Sequence, residues 1–342
     1  METEYSTFIS SAIDSVSSNT AKSILNEISK ENNFGISSLG LIFDSINNDV
    51  LLTKLIKILL FSLVLFIVLN LICNLFSEKN TYLVIKYCGS VAISLTITVP
   101  IYELIEHTTQ YISDISLFLG VLSPTVGALT AIGGNVASAK TQGAFFSILL
   151  SAVQFLLSKI LPYVVTFFIG MSIIDTLWGE RRLSSLSQFI RNTFFGIFAF
   201  LIAIFFVLIS IYSNASSGSD AVSAKALKLI ISNAIPVVGG TVSESLKFLG
   251  GSVVSIKNSV GLASVIFLLA LFIPTLVLLW GSGTVLNLFS VLCEYFGVGE
   301  LKGTVSHLKN AVDFTLASYA IIVVAAFINI GYFMNTVPTV IS

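Results

Sequence analysis

ILLFSLVLFIVLNLICNLF, residues 58–76, is an uncharged and mostly apolar run, with Lys54 and Lys57 before it and Glu78 and Lys79 after it. About twenty such residues in a helix cross the roughly 30 Å hydrocarbon core of a bilayer. Only helices and closed barrels satisfy every backbone N–H and C=O group inside lipid. The run therefore predicts a transmembrane helix and decides the class of the whole chain.

The overall composition supports a membrane protein. Of the 342 residues, 55% are hydrophobic and 10% are charged, whereas about 25% of the residues in an ordinary soluble domain are charged. The apolar residues come in long blocks, without the alternation of a transmembrane β-barrel. The sequence thus predicts an all-α fold, a polytopic integral membrane helical bundle.

About seven membrane segments are expected, including broken or re-entrant helices. Pro124 interrupts one apolar block, and Lys159 and Pro162 fall inside another, so we expect breaks in both. A hydrophilic turn is expected at residues 103–114. The predicted segments lie near 58–76, 82–101, 115–132, 145–175, 194–212, 260–280 and 314–334.

Two regions differ in polarity. Residues 1–50 are rich in polar side chains and are expected to form a separate region with short helices, whereas 51–342 form the membrane domain. Met1 is not followed by a basic stretch and an apolar core, so no signal peptide is predicted. Residues 222–259 are less apolar than their surroundings, which predicts amphipathic, broken helices there.

Several function classes are disfavoured. The net charge of −1 and the scattered basic residues argue against a nucleic-acid partner. Cys73, Cys88 and Cys293 lack metal-site spacing and are interpreted as packing residues, so neither a metal nor another cofactor is expected. His107 and His307 fall in predicted connections without a catalytic motif around them. We therefore expect no enzymatic activity.

The sharpest local pattern is a helix break around Pro236, which is followed by Gly239 and Gly240. Thr241 and Glu244 then form a capping-box pattern, which predicts a new helix with its positive end facing the break. Discontinuous helices line substrate or ion pathways in transporters. An interfacial helical hairpin that stabilises the bundle is the alternative.

Isolated polar residues within apolar blocks are further candidates for a pathway or for packing. Lys159 and Asp175 could pair across a hairpin, and Lys257 lies in the segment that follows the break. Such residues are costly in lipid and usually face the interior of a bundle. Snorkelling of a side chain to the membrane surface is the alternative explanation.

The segment from Ala224 to Ala263 resembles a known family. With IPVVGG at 235–240, Ser243, Lys257-Asn258 and Val260-Gly261, it is similar to stage III sporulation protein AE of endospore-forming bacteria. The resemblance implies a non-enzymatic subunit of a channel-like complex that links the mother cell to the forespore. It also implies a location in the mother-cell membrane facing the forespore, with an extracytoplasmic N-terminal region.

The partners that the resemblance implies are other membrane proteins of the same sporulation complex, together with the lipid bilayer. Self-association into a homo-oligomer stays open. Two other functions also stay open, namely a purely structural membrane scaffold for ring-forming partners and a stand-alone membrane transporter.

Overall fold

The computed structural model describes residues 2–30, 50–75, 79–132, 155–178, 183, 185–197, 199–200, 203–204, 207, 239–296 and 298–335. All regular structure in these ranges is helical, which confirms the predicted all-α class. The helices are α1 (Glu2–Ser15), α2 (Asn19–Lys30), α3 (Val50–Leu75), α4 (Lys79–Ile132), α5 (Leu161–Trp178), α6 (185–197), α7 (Gly239–Tyr295) and α8 (Gly299–Asn335). A π-helical turn, Leu156–Ile160, leads directly into α5.

Three helical stretches are long and apolar enough to cross a membrane, namely Val84–Ile132, Val254–Tyr295 and Leu301–Gly331. Shorter apolar helical stretches occupy Leu60–Ile72 and Leu161–Thr176. These lengths and compositions support a membrane protein. The expected total of about seven segments exceeds the number that the described part of the chain shows.

Helix α4 corrects the prediction of two spans separated by a turn at 103–114. It continues through that stretch for 54 residues with Pro100 and Pro124 inside it, a length of about 80 Å at 1.5 Å per residue. The polar stretch is helical because its apolar side chains recur at helical spacing. Leu104, Ile105 and Tyr111 are buried while Glu106 lies outside, so an amphipathic pattern was mistaken for a turn.

Helix α7 covers residues 239–259 of the segment in which broken helices are predicted, and it shows no break within them. It runs for 57 residues from Gly239 and passes through Gly250 and Gly251 without interruption. Its first residue lies two positions before Thr241, where the capping pattern predicts a helix start. Pro236 and the rest of 208–238 lie outside the described residues.

Helices α7 and α8 form an antiparallel hairpin. Their connection closes where the Val298 N–H donates to the Cys293 carbonyl at 2.9 Å, a bond typical of helix C-termini. The Tyr319 hydroxyl, fully buried, donates to the Leu271 carbonyl at 2.9 Å. These contacts fix the register of the hairpin.

Helix α4 packs against this hairpin at two depths. Near its start, Ser94 meets Thr176 of α5, which in turn bonds Thr304 of α8. Further along, the centroids of the Phe118 ring and of the Phe267 ring of α7 lie 4.4 Å apart. The two contacts place residues 94–118 of α4 alongside α8 from Thr304 onward, and the two helices run in the same direction.

The N-terminal helices α1 and α2 belong to the same core. Phe8 packs edge-to-face against Phe118, with ring centroids 5.9 Å apart, and Leu25 and Ile28 are buried. The turn between the two helices contacts Asp114 of α4, whose side chain is fully buried.

Asp114 accepts three kinds of hydrogen bond from that turn. The Ser17 N–H donates at 2.9 Å, the Ser17 hydroxyl at 2.7 Å and the Ser18 N–H at 3.3 Å. The carboxylate thereby stands at the positive N-terminal end of α2, where negative charge is favourable. It ties a polar hairpin to the membrane helices.

We predict that Asp114→Asn loosens α2. Asparagine keeps one acceptor oxygen but loses the negative charge at the N-terminal end of α2 and places an NH2 group where Oδ2 accepts from the Ser18 N–H, which costs about 1–3 kcal/mol for a buried group. Hydrogen exchange of the α2 amides, followed by mass spectrometry in detergent or nanodiscs, should accelerate. Asp14→Asn makes the same chemical change at an exposed position and should leave exchange unaltered. Equal exchange in both variants would contradict the anchoring role.

Candidate functional site

Helix α8 carries polar side chains at three-residue intervals, namely Thr304, His307, Asn310 and Asp313. Each step of three residues turns by about 300°, so consecutive members lie close together while the row winds around the helix, and Thr304 and Asp313 face opposite sides. The first three are buried, and neighbouring helices supply partners for all four. We define the polar column as these four residues with Ser94 of α4, Ser172, Asp175 and Thr176 of α5, and Ser187 and Arg191 of α6.

The centre of the polar column is a pair formed by His307 and Asp175. His307 Nε2 lies 2.7 Å from Asp175 Oδ2, and the two side chains are 0% and 1% exposed. The contact is a hydrogen bond when the imidazole is neutral and an ion pair when it is protonated. His307 Nδ1 and Asp175 Oδ1 have no hydrogen-bond partner in the described structure. A buried ionisable pair of this kind between membrane helices is a candidate functional site.

Gly303 makes the approach of Asp175 possible. A Cβ atom at this position would lie 2.9 Å from Asp175 Oδ2 and 3.4 Å from Asp175 Cβ. Any larger residue would therefore push the carboxylate away from His307. The glycine is required by this close contact between α5 and α8.

One end of the polar column is a cluster of hydroxyls. The Ser94 and Thr176 hydroxyl oxygens lie 3.2 Å apart, and Thr176 also bonds the Thr304 hydroxyl. The Ser172 hydroxyl donates to the Thr304 carbonyl at 3.3 Å. All four residues are buried, so this end joins α4, α5 and α8 without reaching the surface.

The other end becomes charged and reaches the surface. The Asn310 amide donates to the Ser187 hydroxyl at 2.9 Å. Arg191 donates to Asn310 Oδ1 at 3.1 Å and to Asp313 Oδ2 at 3.4 Å. The side chains of Arg191 and Asp313 are each 27% exposed. The polar column therefore runs from a closed hydroxyl end to a partly open charged end.

Of the residues predicted from sequence, Asp175 lies at the centre of this site. Lys159 does not pair with it. The two lie sixteen positions apart on one continuous helical segment, about 24 Å along its axis, and Lys159 is exposed. The predicted pairing across a hairpin is wrong because the chain does not fold back at Pro162.

The other predicted residues lie elsewhere. Lys257 is buried, with its ammonium 5.0 Å from the centroid of the Phe333 ring, at the opposite end of the α7–α8 hairpin from the polar column. Gly239, Gly240, Thr241 and Glu244 form the first turns of α7. A pathway role for these four stays a prediction, as it does for Pro236.

Sequence reasoning missed most of the polar column. His307 was assigned to a connection, but it lies inside α8 and is fully buried. The signal was present as the repeated spacing from Thr304 to Asp313. The spacing is easily overlooked because Gly299 and Gly303, together with the charged residues Glu300, Lys302 and Lys309, resemble a hydrophilic turn.

Comparisons with known proteins agree on one family. Residues 19–336 match a family model described as stage III sporulation protein AE. A relative with that name from Bacillus subtilis (strain 168) is 21% identical over 280 residues, which cover 81% of this chain and 69% of the relative. No solved structure matches the chain.

We predict that Asp175→Asn and His307→Gln each destabilise the protein by about 1–3 kcal/mol, because each weakens a buried hydrogen bond while keeping a polar side chain in place. The double variant should lose less than the sum, by about 0.5–3 kcal/mol, as expected for residues in contact. Thermal or denaturant unfolding in detergent micelles measures these differences. His107→Gln changes the partly exposed histidine and serves as the control. Strict additivity would show that the two side chains do not interact.

We predict that Gly303→Ala weakens the site from the other side. The new methyl group displaces Asp175, and overpacking of this kind typically costs about 1–3 kcal/mol. Gly331→Ala is the matched control on the same helix, since its Cβ would meet no atom within 4 Å. That substitution should be neutral or slightly stabilising. The same loss of stability at both positions would refute the steric role of Gly303.

Proposed function

Because the chain belongs to the stage III sporulation protein AE family, we propose that it is a non-enzymatic, multi-pass membrane subunit of the channel or secretion-like complex that links mother cell and forespore. In this proposal it resides in the mother-cell membrane facing the forespore. It contributes there to transport or to the assembly of the conduit. The family match supports a part in sporulation, and the polar column supports the proposed role in transport.

The polar column supports a role in transport because polar groups inside a membrane bundle are costly and are retained where solutes, ions or protons move. Its residues come from α4, α5, α6 and α8, so the column lies where four helices meet. It ends at the partly exposed Arg191 and Asp313. A change at the column would therefore be transmitted to several helices at once.

The same geometry argues against catalysis at the His307–Asp175 pair. A general acid or base must come within hydrogen-bonding distance of its substrate. Both members of the pair are closed off from the surface.

The partners in this proposal are other membrane proteins of the complex. The exposed apolar side chains of Phe200 and Trp280 suit contact with lipid.

A structural scaffold for ring-forming partners is the second candidate, and one observation favours it. The hydroxyl cluster closes α4, α5 and α8 together with no exposed member, which is the property of a rigid support. A stand-alone membrane transporter is the third candidate. These functions predict different outcomes when the polar column is changed but the complex still assembles.

The experiment replaces the chromosomal gene in its spore-forming host. We predict that deletion prevents formation of heat-resistant spores, and that the tagged wild-type chain co-purifies with other sporulation membrane proteins. The double variant Asp175→Asn/His307→Gln keeps two polar side chains in contact. It should retain those partners but form few spores, because the pair acts in transport. Gln188→Asn, a change at an exposed position on α6, is the control and should sporulate normally.

Normal spore formation after deletion would contradict the proposed function. Normal spore formation by the double variant, with its partners retained, would favour the scaffold. Failure of the wild-type chain to co-purify with any membrane partner would favour the stand-alone transporter.

A further inference from the structure

Helix α4 exposes a line of polar residues in the middle of its length. Glu106, Gln110 and Ser113 are all exposed and recur at spacings of four and three residues, so they share one side of the helix. We call these three residues the polar stripe. Glu103 and His107 beside them are partly exposed.

The depth of the polar stripe follows from the register of its neighbours. Ser94 lies level with Thr304 through Thr176, and α4 and α8 run in the same direction. Counting between this contact and the Phe118–Phe267 contact, which lies level with about residue 323 of α8, places the stripe beside about residues 313–319 of α8. Tyr319, within that range, contacts Leu271 of α7. The stripe therefore lies at the depth of the apolar segments 260–280 and 314–334.

Other sides of the bundle expose apolar residues at this depth. Val277 and Trp280 of α7 and Val324 of α8 are exposed. Helix α6 joins the same level because Phe194 packs against Phe314, and Ile197 and Phe200 beyond it are exposed. These surfaces suit lipid, whereas Glu106 does not, because a carboxylate facing hydrocarbon is strongly unfavourable.

The helices α1 and α2 give a second, independent observation. They dock on α4 through Asp114, the residue after Ser113, and through Phe118. Every exposed side chain that the structure describes on these two helices is polar, including Asp14, Asn19, Asn26 and Glu27. A polar outer surface beside the stripe widens it into a polar side of the bundle, which must be kept away from lipid.

We propose that the polar stripe and the outer surfaces of α1 and α2 form part of the wall of a water-filled passage. This inference rests on the proposed function, because only that function identifies the passage with the conduit between mother cell and forespore. Among the side chains whose exposure the structure describes, Glu106, Asp14 and Glu27 of this wall are exposed and Lys22, Glu103 and His107 are partly exposed. The wall is acidic on balance, so the passage favours hydrated cations and neutral solutes over anions, as rings of carboxylates do in cation channels.

The test is cysteine accessibility in the full-length protein in native membranes. Cys73, Cys88 and Cys293 are first replaced by alanine, and spore formation shows that the background still folds. Single cysteines are then placed at Gln110 and Ser113 of the stripe, and at the exposed apolar positions Val277 and Val324, whose depths bracket that of the stripe. Each variant is exposed to a cationic and to an anionic methanethiosulfonate reagent, and a maleimide added after denaturation in SDS confirms that every thiol is present and can react.

The expected result is reaction of Gln110→Cys and Ser113→Cys with the charged reagents, while Val277→Cys and Val324→Cys react only with the maleimide. The cationic reagent should react about tenfold or more faster than the anionic one, because an acidic surface concentrates cations. Equal rates for the two reagents would overturn the selectivity. Reaction of the stripe positions with the maleimide alone would overturn the passage, and disulfide formation between copies would assign the stripe to a self-interface.

These outcomes separate this inference from the proposed function. Unreactive stripe positions in a chain that supports normal sporulation would remove the wall and leave the sporulation role intact. Reactive stripe positions in a chain whose deletion leaves sporulation normal would keep the wall and remove that role.

Discussion

The structure depends on one constraint, that a polar group in the membrane must find its partner within the protein. Hydroxyls meet it locally, as when the Thr108 and Ser264 side chains donate to carbonyls one turn back along their helices. Tyr319 meets it by bonding the Leu271 carbonyl of the adjacent helix. Asp175 and His307 meet it with each other. The positions of these partners decide which helices pack together and in what register.

The constraint also explains the shape of the polar column. Its closed end consists of hydroxyls, which pair readily in a dry interior, and Arg191 and Asp313 at the other end lie where partial exposure lowers the cost of desolvation. The polar side formed by α1, α2 and the middle of α4 differs from the polar column, whose centre is buried. Its side chains point outward at a depth where other surfaces are apolar. Together they give the bundle a rigid interior and a polar flank, the combination expected of a subunit that borders a conduit.

Sequence reasoning succeeded where one side chain property dominates. Long apolar runs predicted the helices and the membrane class, and the motif around 235–261 identified the family. It failed where a polar stretch could be either a turn or a continuous helix with polar side chains. Residues 103–114 and the start of α8 around His307 are polar because they bury some polar groups and expose others along continuous helices, yet the sequence predicts a turn for the first and a connection for the second. Asp175 was recognised as costly in lipid, but its partner, His307, lies 132 positions away, and only the folded structure brings them together.

The claim on which the account rests is that the polar column joins α4, α5 and α8 inside the membrane bundle. Disulfide cross-linking tests it directly. In the cysteine-free chain in native membranes, Ser94→Cys and Thr176→Cys introduced together should form a disulfide rapidly on mild oxidation, because the two hydroxyl oxygens lie 3.2 Å apart. Ser94→Cys with Thr193→Cys, an exposed position on α6, should form none. Cross-linking of the second pair and not of the first would contradict the arrangement of helices and the site built on it.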